Sequence, residues 1–234
     1  MGKSKDLATR VGIDDNADAT AITINNSENV GIGTTSPSSK LTLKAANNGY
    51  TGGLRIEGVD ETTALAITHV NGDNYFSGNA TNDHLILSSS GHVTMPSQPM
   101  FDAYLTASST HSSGVYNLST GDSWATRANI GNHFSSGTFT APVDGRYLFT
   151  ANITANGSVG AMAYFGCEFQ VNGNRRYIHW WGKGGSTGSY FAANNSAIIS
   201  LAANDVVRLA SEKAQSTTIV GGAGYTSFTG MLIG

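Results

Sequence analysis

The sequence has little charge and a single cysteine. Asp, Glu, Lys and Arg make up 12% of the 234 residues, about half of the share of roughly 25% that is usual in globular proteins. Because Cys167 stands alone, the chain forms no internal disulfide, and packing or association with other chains must stabilise it. The net charge of −3, without Lys- or Arg-rich segments, excludes a surface for nucleic acid.

Long apolar runs are missing as well. No segment approaches the roughly 20 residues of a membrane-spanning helix, so we expect no membrane insertion. The N-terminal segment MGKSKDLATR is polar and lacks the apolar core of a secretory signal. A short helix is expected at residues 4–10, and little helical periodicity follows it.

Residues that favour turns and strands are abundant instead. The chain has 29 glycines, and Asn, Gly and Ser clusters separate short runs of Val, Ile, Thr, Tyr or Phe, which predicts an all-β protein. Two segments, 22–32 and 85–95, read apolar-x-apolar, polar turn, then Val-x-apolar. We expect each to form a β-hairpin with one apolar face.

Two prolines, Pro96 and Pro99, interrupt strand pairing and mark a domain boundary. We divide the chain into an N-terminal anchor (1–20), a hairpin-rich shaft or linker domain (21–95), a proline linker (96–99) and a C-terminal domain (100–234). One copy of residues 1–95 has too little apolar surface for a core of its own. We therefore expect several copies of the chain to pack together.

The second half alternates between apolar and polar residues. The segment 161–171 places Cys167 on the apolar face and Glu168 and Gln170 on the other face, so the thiol is expected to fill the core. The last strand, 225–233, is apolar on both faces near its end. We expect it to be central in a sheet and buried on both faces.

The candidate ligand surface follows the Asn172–Gly173 turn. An exposed Trp beside Arg can stack on a sugar ring while the guanidinium binds hydroxyl or carboxylate groups. The alternative is that the outer Trp is covered by a loop or a neighbouring chain. The candidate ligand-binding residues are Arg175, Arg176, Trp180, Trp181 and Lys183.

The sequence contains no convincing signature of catalysis, metal or cofactor binding. The segment 30–36 begins like a dinucleotide-binding loop, but Ser36 replaces its third glycine and Pro37 follows. The six histidines have no metal-ligand spacing, although His84 and His92 would approach each other if a hairpin paired them. We therefore expect no enzyme, no metal and no cofactor.

The second half resembles the C1q-like globular domain, the trimeric jelly roll related to tumour necrosis factor. The motif FTAPVDGRYLF at 139–149 has the family's spacing of Phe139, Gly145, Tyr147 and Phe149, although the segment before Phe139 is about two residues shorter than usual. The resemblance implies a jelly-roll β-sandwich head, with these aromatic residues in its core. Further matching segments are FDAY (101–104), GNHF (131–134), ANDVVRL (203–209) and FTGML (228–232).

The first half resembles shaft segments of bacteriophage fibres, especially those of cyanobacterial phages. The segment AITINNSENVGIGTTSP (21–37) followed by KLTL (40–43) carries this resemblance. Both resemblances imply a homotrimer, here an N-terminal trimeric intertwined β shaft followed by a C1q-like head. They imply a tail fibre or spike on the virion, docked to other virion proteins by its N-terminus and binding a host-surface glycan or protein.

Three alternatives remain. A trimeric capsid decoration, cement or head-fibre protein would have the same architecture without a receptor-binding duty. A tailspike enzyme would need a pair of carboxylates in a groove, for which Asp102, Asp122 and Glu168 are the residues to test. A bacterial lectin with a C1q-like domain would be expected to carry a secretion signal.

Overall fold

The computed structural model describes residues 22–44, 53–57, 64–79, 82–119, 121–156, 163–182 and 190–234. These residues form strands and turns and contain no helix, and accordingly no membrane-spanning helix is found among them. The chain divides into two compact units, residues 1–96 and 97–234. The predicted helix at 4–10 and the anchor at 1–20 lie outside the described residues.

The first unit begins with a three-stranded sheet. Strands β1 and β2 pair antiparallel, as predicted for the segment 22–32, and β3 adds to β2 in parallel. The register places six aliphatic side chains on one face, because directly paired residues point to the same side. They remain largely exposed in the single chain, with Ile24 at 70% and Leu41 at 58%. The strands are β1 (Ile22–Ile24), β2 (Val30–Ile32) and β3 (Leu41–Leu43).

A five-stranded antiparallel sheet completes the first unit, with its strands in chain order. Its last two strands form the second predicted hairpin, in which Leu87 pairs with Val93. His84 and His92 do not pair: the His84 ring lies over Gly78, whereas the backbone N–H of His92 donates to Ser88. The strands are β4 (Leu54–Glu57), β5 (Ala64–Val70), β6 (Asp73–Asn79), β7 (Asn82–Leu87) and β8 (Val93–Thr94).

The second unit is a sandwich of two sheets. Its front sheet has the order β10-β20-β15-β21-β9-β12. Strands β20 and β21 pair with one edge of β15, and β18 pairs with the opposite edge. The front-sheet strands are β9 (Met100–Leu105), β10 (Ser109–His111), β12 (Trp124–Ile130), β15 (Gly145–Asn156), β18 (Tyr190–Leu201), β20 (Thr217–Ile219) and β21 (Ser227–Leu232).

The back sheet has the order β13-β14-β19-β16-β17, and β11 pairs with β19. Together with the front sheet it forms a jelly-roll sandwich, which confirms the predicted fold class for the head. The back-sheet strands are β11 (Gly114–Asn117), β13 (Phe134–Ser135), β14 (Thr138–Thr140), β16 (Tyr164–Val171), β17 (Asn174–Gly182) and β19 (Val206–Lys213).

The core between the two sheets is aromatic. Phe139, Tyr147 and Phe149 of the sequence motif are all 0% exposed, so the prediction that they are packing residues is confirmed. The Tyr147 hydroxyl donates to the carbonyl of Val143 at 2.8 Å and braces the turn before β15. Cys167 also faces the core, and burial raises the pKa of its thiol, so it remains protonated at neutral pH.

The final strand is central, as predicted, because β21 lies between β15 and β9. The prediction that it is buried on both faces is wrong for the single chain. Phe228 points into the core and is fully buried, whereas Met231 is 41% exposed and Ile233 45% exposed. The physical reason is that only one face of the front sheet is covered by the back sheet.

Candidate functional site

The predicted ligand surface lies on β17, an edge strand whose backbone pairs with β16. The two strands are out of register by one residue at Tyr177, which has a φ of +48° and no residue opposite it. This is a β-bulge, and left-handed backbone is uncommon for an aromatic residue. The bulge divides β17 into two segments that present their side chains differently.

Arg175 is held by two carboxylates. Its Nε donates to Glu168 Oε2 at 2.7 Å, and its Nη2 pairs with Glu212 Oε2. The hydrogen bond that Arg175 donates to Glu168 is the main cause that raises the pKa of the Arg175 guanidinium. Glu168 is 0% exposed, and its other oxygen accepts from the Gln170 amide at 2.8 Å. Arg175 therefore compensates a buried charge within the head.

The burial of Glu168 and Gln170 differs from the sequence expectation. Alternation placed both residues on the face opposite Cys167, and they do lie there, but this face is covered too, so that Gln170 is only 8% exposed. The side chains of Arg175 and Asn117 reach over it and hydrogen-bond to Glu168 and Gln170. Alternation identifies the face of a strand but not which side chains of neighbouring strands cover it.

Arg176 and Tyr177 remain exposed, Tyr177 to 50%. The Asn195 amide donates to the carbonyls of Cys167 and Tyr177, the former at 3.1 Å. It thereby fixes the backbone of the bulge against the neighbouring β18. An exposed guanidinium next to an exposed phenol ring, on a braced backbone, is an arrangement suited to binding polar or cyclic ligands.

The other three candidates are only partly placed. The backbones of Trp180 and Trp181 lie in β17, opposite Gly166 and Phe165 of β16. Lys183 lies outside the described residues. The prediction that these residues bind a ligand stays a prediction.

A second surface was not predicted from the sequence. Five aliphatic side chains lie in one line across the outer face of the front sheet, since each is the direct register partner of the next. We call this line the aliphatic row. Three of its members are well exposed, Ile130 to 36%, Met231 to 41% and Ile198 to 56%. In order across the sheet, the row is Ile130, Met100, Met231, Leu148 and Ile198.

The neighbouring line of the same sheet face is polar. The hydroxyls of Thr150 and Thr229 hydrogen-bond to each other at 2.6 Å, and Asp102 forms an ion pair with Arg127 at 2.9 Å. A shallow groove runs between the two lines. The front sheet thus has an apolar band at one end of its outer face.

Each of the three carboxylates considered for catalysis has a different partner. Asp102 is paired with Arg127 and Glu168 with Arg175, while the Asp122 side chain is 1% exposed and within 3.4 Å of His111. In the part of the chain that the structure describes, no group of three or more His, Cys, Asp or Glu residues is arranged to hold a metal ion.

Residues 101–233 match the C1q domain family. No curated protein matches the sequence. Among solved structures, murine APRIL at pH 8.0 has a TM-score of 0.46 and 9% identity over 58% of this chain and 99% of its own. The globular domain of zebrafish complement 1qA has a TM-score of 0.42 and 16% identity, over 58% and 98%. Eiger TNF from S. frugiperda has a TM-score of 0.43 and 12% identity, over 58% and 94%. Since the matched residues make up more than half of the sequence, the chain belongs to the C1q domain family.

Proposed function

We propose that this protein is a homotrimeric structural component of a bacteriophage particle, a tail fibre or spike that binds a host-surface glycan or protein without catalysing a reaction. Residues 1–20 dock on other virion proteins, residues 21–95 form the shaft, residues 96–99 the linker and residues 100–234 the C1q-like head. The protein assembles in the host cytoplasm and is exposed on the virion. The fibre-like segment at 21–43 supports the phage origin.

The observation that carries the trimer is the aliphatic row. Its five side chains bear no charge, and in the single chain three of them stay exposed while Met100 and Leu148 are only half-buried. Complete burial of such a side chain contributes about 1.5–3 kcal/mol. Large exposed apolar patches mark interaction sites, and domains of this family are often trimeric and involved in binding. Packing of the front sheets of three copies against one another buries the row.

The first unit independently supports the association of several copies of the chain. The exposed face of its three-stranded sheet presents an uncharged array of aliphatic side chains, and burial of such a patch against another copy stabilises the assembly. Copies of the same face pack together without any need for charge complementarity. The array consists of Ile22, Ile24, Val30, Ile32, Leu41 and Leu43.

The ligand surface fits a weak, repeated contact better than a deep pocket. Arg176 and Tyr177 are exposed on an edge strand, and a site of roughly millimolar affinity contributes only about 4 kcal/mol. Three linked copies gain roughly a hundredfold or more in avidity without new contacts. A shallow surface is therefore sufficient for adsorption to a cell.

The trimer is tested by charging the aliphatic row. We expect the wild-type protein to be trimeric by light scattering, and Met231→Lys to dissociate into monomers at a higher protein concentration than the wild type with unchanged circular dichroism, because this side chain is already exposed at the surface of the single chain. Val143→Lys is the matched control, since Val143 is 46% exposed but lies in the turn before β15. A wild-type protein that is monomeric at micromolar concentration contradicts the proposal.

Receptor binding is tested by competition, in which purified trimer blocks phage adsorption to host cells. We expect Arg176→Ala combined with Tyr177→Ala to abolish the competition while the protein remains trimeric. Equal competition by this variant and by the wild type would rule out the β17 surface as the receptor site.

A trimeric capsid decoration protein is the second candidate. The ion pairs of Arg175 with Glu168 and Glu212 favour the decoration protein, since Arg175 is then not available to bind a ligand. Removal of the protein from particles separates the two functions. Intact heads that no longer adsorb support the fibre, whereas fragile heads that still adsorb support the decoration protein.

A further inference from the structure

One end of the sandwich interior is charged rather than apolar. Lys213 of β19 is 0% exposed, His111 of β10 is 8% exposed, and the Asp122 side chain, from the segment before β12, is 1% exposed. Tyr116 of β11 lies between the two basic groups, since its ring stacks on His111 and lies 5.4 Å below the Lys213 ammonium. We call these four residues the buried charge cluster.

The hydrogen bonds of the cluster define the protonation of His111. Ser109 donates its single hydroxyl proton to Asp122 and lies 2.7 Å from His111 Nε2. Since that hydroxyl can then only accept from the ring, Nε2 carries a proton. A neutral His111 therefore has a bare Nδ1, and an acid-induced second proton must be placed there.

The charges of the buried charge cluster cancel only while His111 is neutral. One carboxylate, Asp122, then faces one ammonium, Lys213, whose own hydrogen bond is to the Ser211 hydroxyl at 3.1 Å. A protonated His111 adds a second cation to a site with a single anion. The cost of an uncompensated charge in the interior is high.

The cluster is also incompletely hydrogen-bonded. Asp122 Oδ2 and Thr217 Oγ1 are buried and lack a partner among the described residues. Thr217 lies on β20, directly opposite His111. Partly satisfied polar groups in the interior make a local region less stable than the apolar core beside it.

The short strands on the front-sheet side of the cluster are weakly attached. Strands β10 and β20 have three residues each, and β20 joins β15 through only two register pairs, Ala155 with Ile219 and Asn156 with Thr218. The large aromatic cluster around Phe149 and Phe228 packs elsewhere in the sandwich. Separation of this end of the front sheet therefore breaks few strand pairs and exposes Ile219, which is 0% exposed in the closed head.

We propose that the buried charge cluster is an acid-sensitive latch: protonation of His111 releases β10, β20 and the segment 121–123 from the head while the remaining sandwich stays folded. This inference concerns the head alone and does not depend on the phage origin or on the trimer.

The electrostatics agree in direction. Burial is the largest cause that lowers the pKa of His111; Asp122 opposes this and Lys213 adds to it. Burial also lowers the pKa of Lys213 to about 8, so the ammonium stays charged throughout the range in which His111 titrates. Tyr116 stays neutral, because burial raises the pKa of its phenol.

The sign of the pH dependence follows. Because the pKa of His111 is lower in the folded head than in the unfolded chain, the unfolded or locally opened state binds more protons as the pH falls below about 6.5. The latch is fully closed above that pH and loses stability as the pH falls towards the folded-state pKa.

Hydrogen exchange of the full-length protein between pH 7.5 and pH 5, corrected for the intrinsic rates, tests the latch. We expect peptides that cover 109–111 and 217–219 to lose protection on acidification, whereas peptides from β21 keep theirs. An equal loss of protection throughout the head overturns the local release, and unchanged protection everywhere overturns the latch itself.

Two variants assign the effect to the cluster. In His111→Gln no second proton can be added, so this variant is expected to keep the protection of 109–111 at pH 5. In Lys213→Met the protonated imidazole faces Asp122 without a competing cation, but burial still lowers the pKa of His111. We therefore expect this variant to lose protection at a lower pH than the wild type. His179→Gln, which changes an exposed histidine of β17, is the control and must behave as the wild type.

Wild-type behaviour of a folded His111→Gln protein overturns the proposal. Should that variant fail to fold, the imidazole resonances of His111 in the wild-type protein provide the same test. Their titration must coincide with the loss of amide protection, and a His111 that titrates while the peptides stay protected contradicts the latch.

Discussion

The guanidinium of Arg175 donates from Nε to Oε2 of Glu168 across 2.7 Å. Glu168 has no solvent exposure, whereas the Arg175 side chain is 39% exposed. One of the five candidate ligand-binding residues is therefore also the counter-ion of a buried carboxylate. The two roles are separable by mutation.

Arg175→Ala is expected to destabilise the head, because it leaves the charge of Glu168 buried with only the Gln170 amide as a partner. Loss of one partner of a fully buried pair costs about 3–5 kcal/mol, and the exposure of Arg175 reduces the expected loss to about 2–3 kcal/mol. Urea denaturation at one fixed protein concentration measures this loss.

The double variant Arg175→Ala, Glu168→Gln should recover part of the loss, since no charge then remains buried. Arg176→Ala is the matched control. It removes an exposed guanidinium from the next residue and should change the free energy of unfolding by no more than about 0.5 kcal/mol. Equal effects of the two alanine variants would show that the Glu168 ion pair does not stabilise the head.

Tyr147→Phe tests the brace of the turn that opens β15. The variant keeps the buried ring but removes the hydroxyl that donates to the Val143 carbonyl, which we expect to cost about 1 kcal/mol. Tyr147→Ala removes the ring from the core as well and should cost about 3–5 kcal/mol. Thermal denaturation that fails to separate the two variants would mean that the ring contributes nothing beyond the hydrogen bond.

Gly230→Ala tests why the last strand has a glycine at this position. A Cβ at this position would lie 2.5 Å from Phe101 Cε1 and 2.7 Å from Phe149 Cδ1, and both rings are buried in the core. Overpacking of this kind costs about 1–3 kcal/mol. Gly224→Ala is the control, because a Cβ there meets nothing within 4 Å; a loss of stability as large as that of Gly230→Ala would refute the steric explanation.

Lys213→Met tests the buried ammonium at alkaline pH. Burial lowers the pKa of Lys213 to about 8 from 10.5, so between these values the unfolded chain binds more protons and the folded wild-type protein gains stability as the pH rises. The gain is at most about 3 kcal/mol and should be absent from the variant. Denaturant midpoints of both proteins at pH 7.5 and pH 10 measure it, and parallel changes would exclude Lys213 as the source.

The sequence predicted the core of the head well, because alternation within one strand is a local signal. Phe139, Tyr147, Phe149 and Cys167 all point inward as expected. The outer face was less predictable. Met100 and Ile198 are far apart in the sequence, and only the register of five adjacent strands aligns them with the other members of the aliphatic row.

The candidate site was likewise predicted only in part. The sequence placed Arg175 and Arg176 beside each other on a strand after a turn, which the structure confirms. The sequence did not predict the bulge at Tyr177 or the partners of Arg175, because Glu168 and Glu212 come from two other strands. Likewise, nothing local indicates that His111, Asp122 and Lys213 meet inside the sandwich.

The sequence alone determined that this protein is all-β, that its second half is a C1q-like sandwich and that the aromatic residues of its motif and Cys167 face the core. Strand alternation and turn residues act over a few positions, so they can be interpreted without coordinates. The tertiary structure decided which polar groups are buried and paired and which aliphatic groups remain uncovered. Those properties depend on strand register and on the stacking of the two sheets, which bring together residues that are more than a hundred positions apart in the sequence.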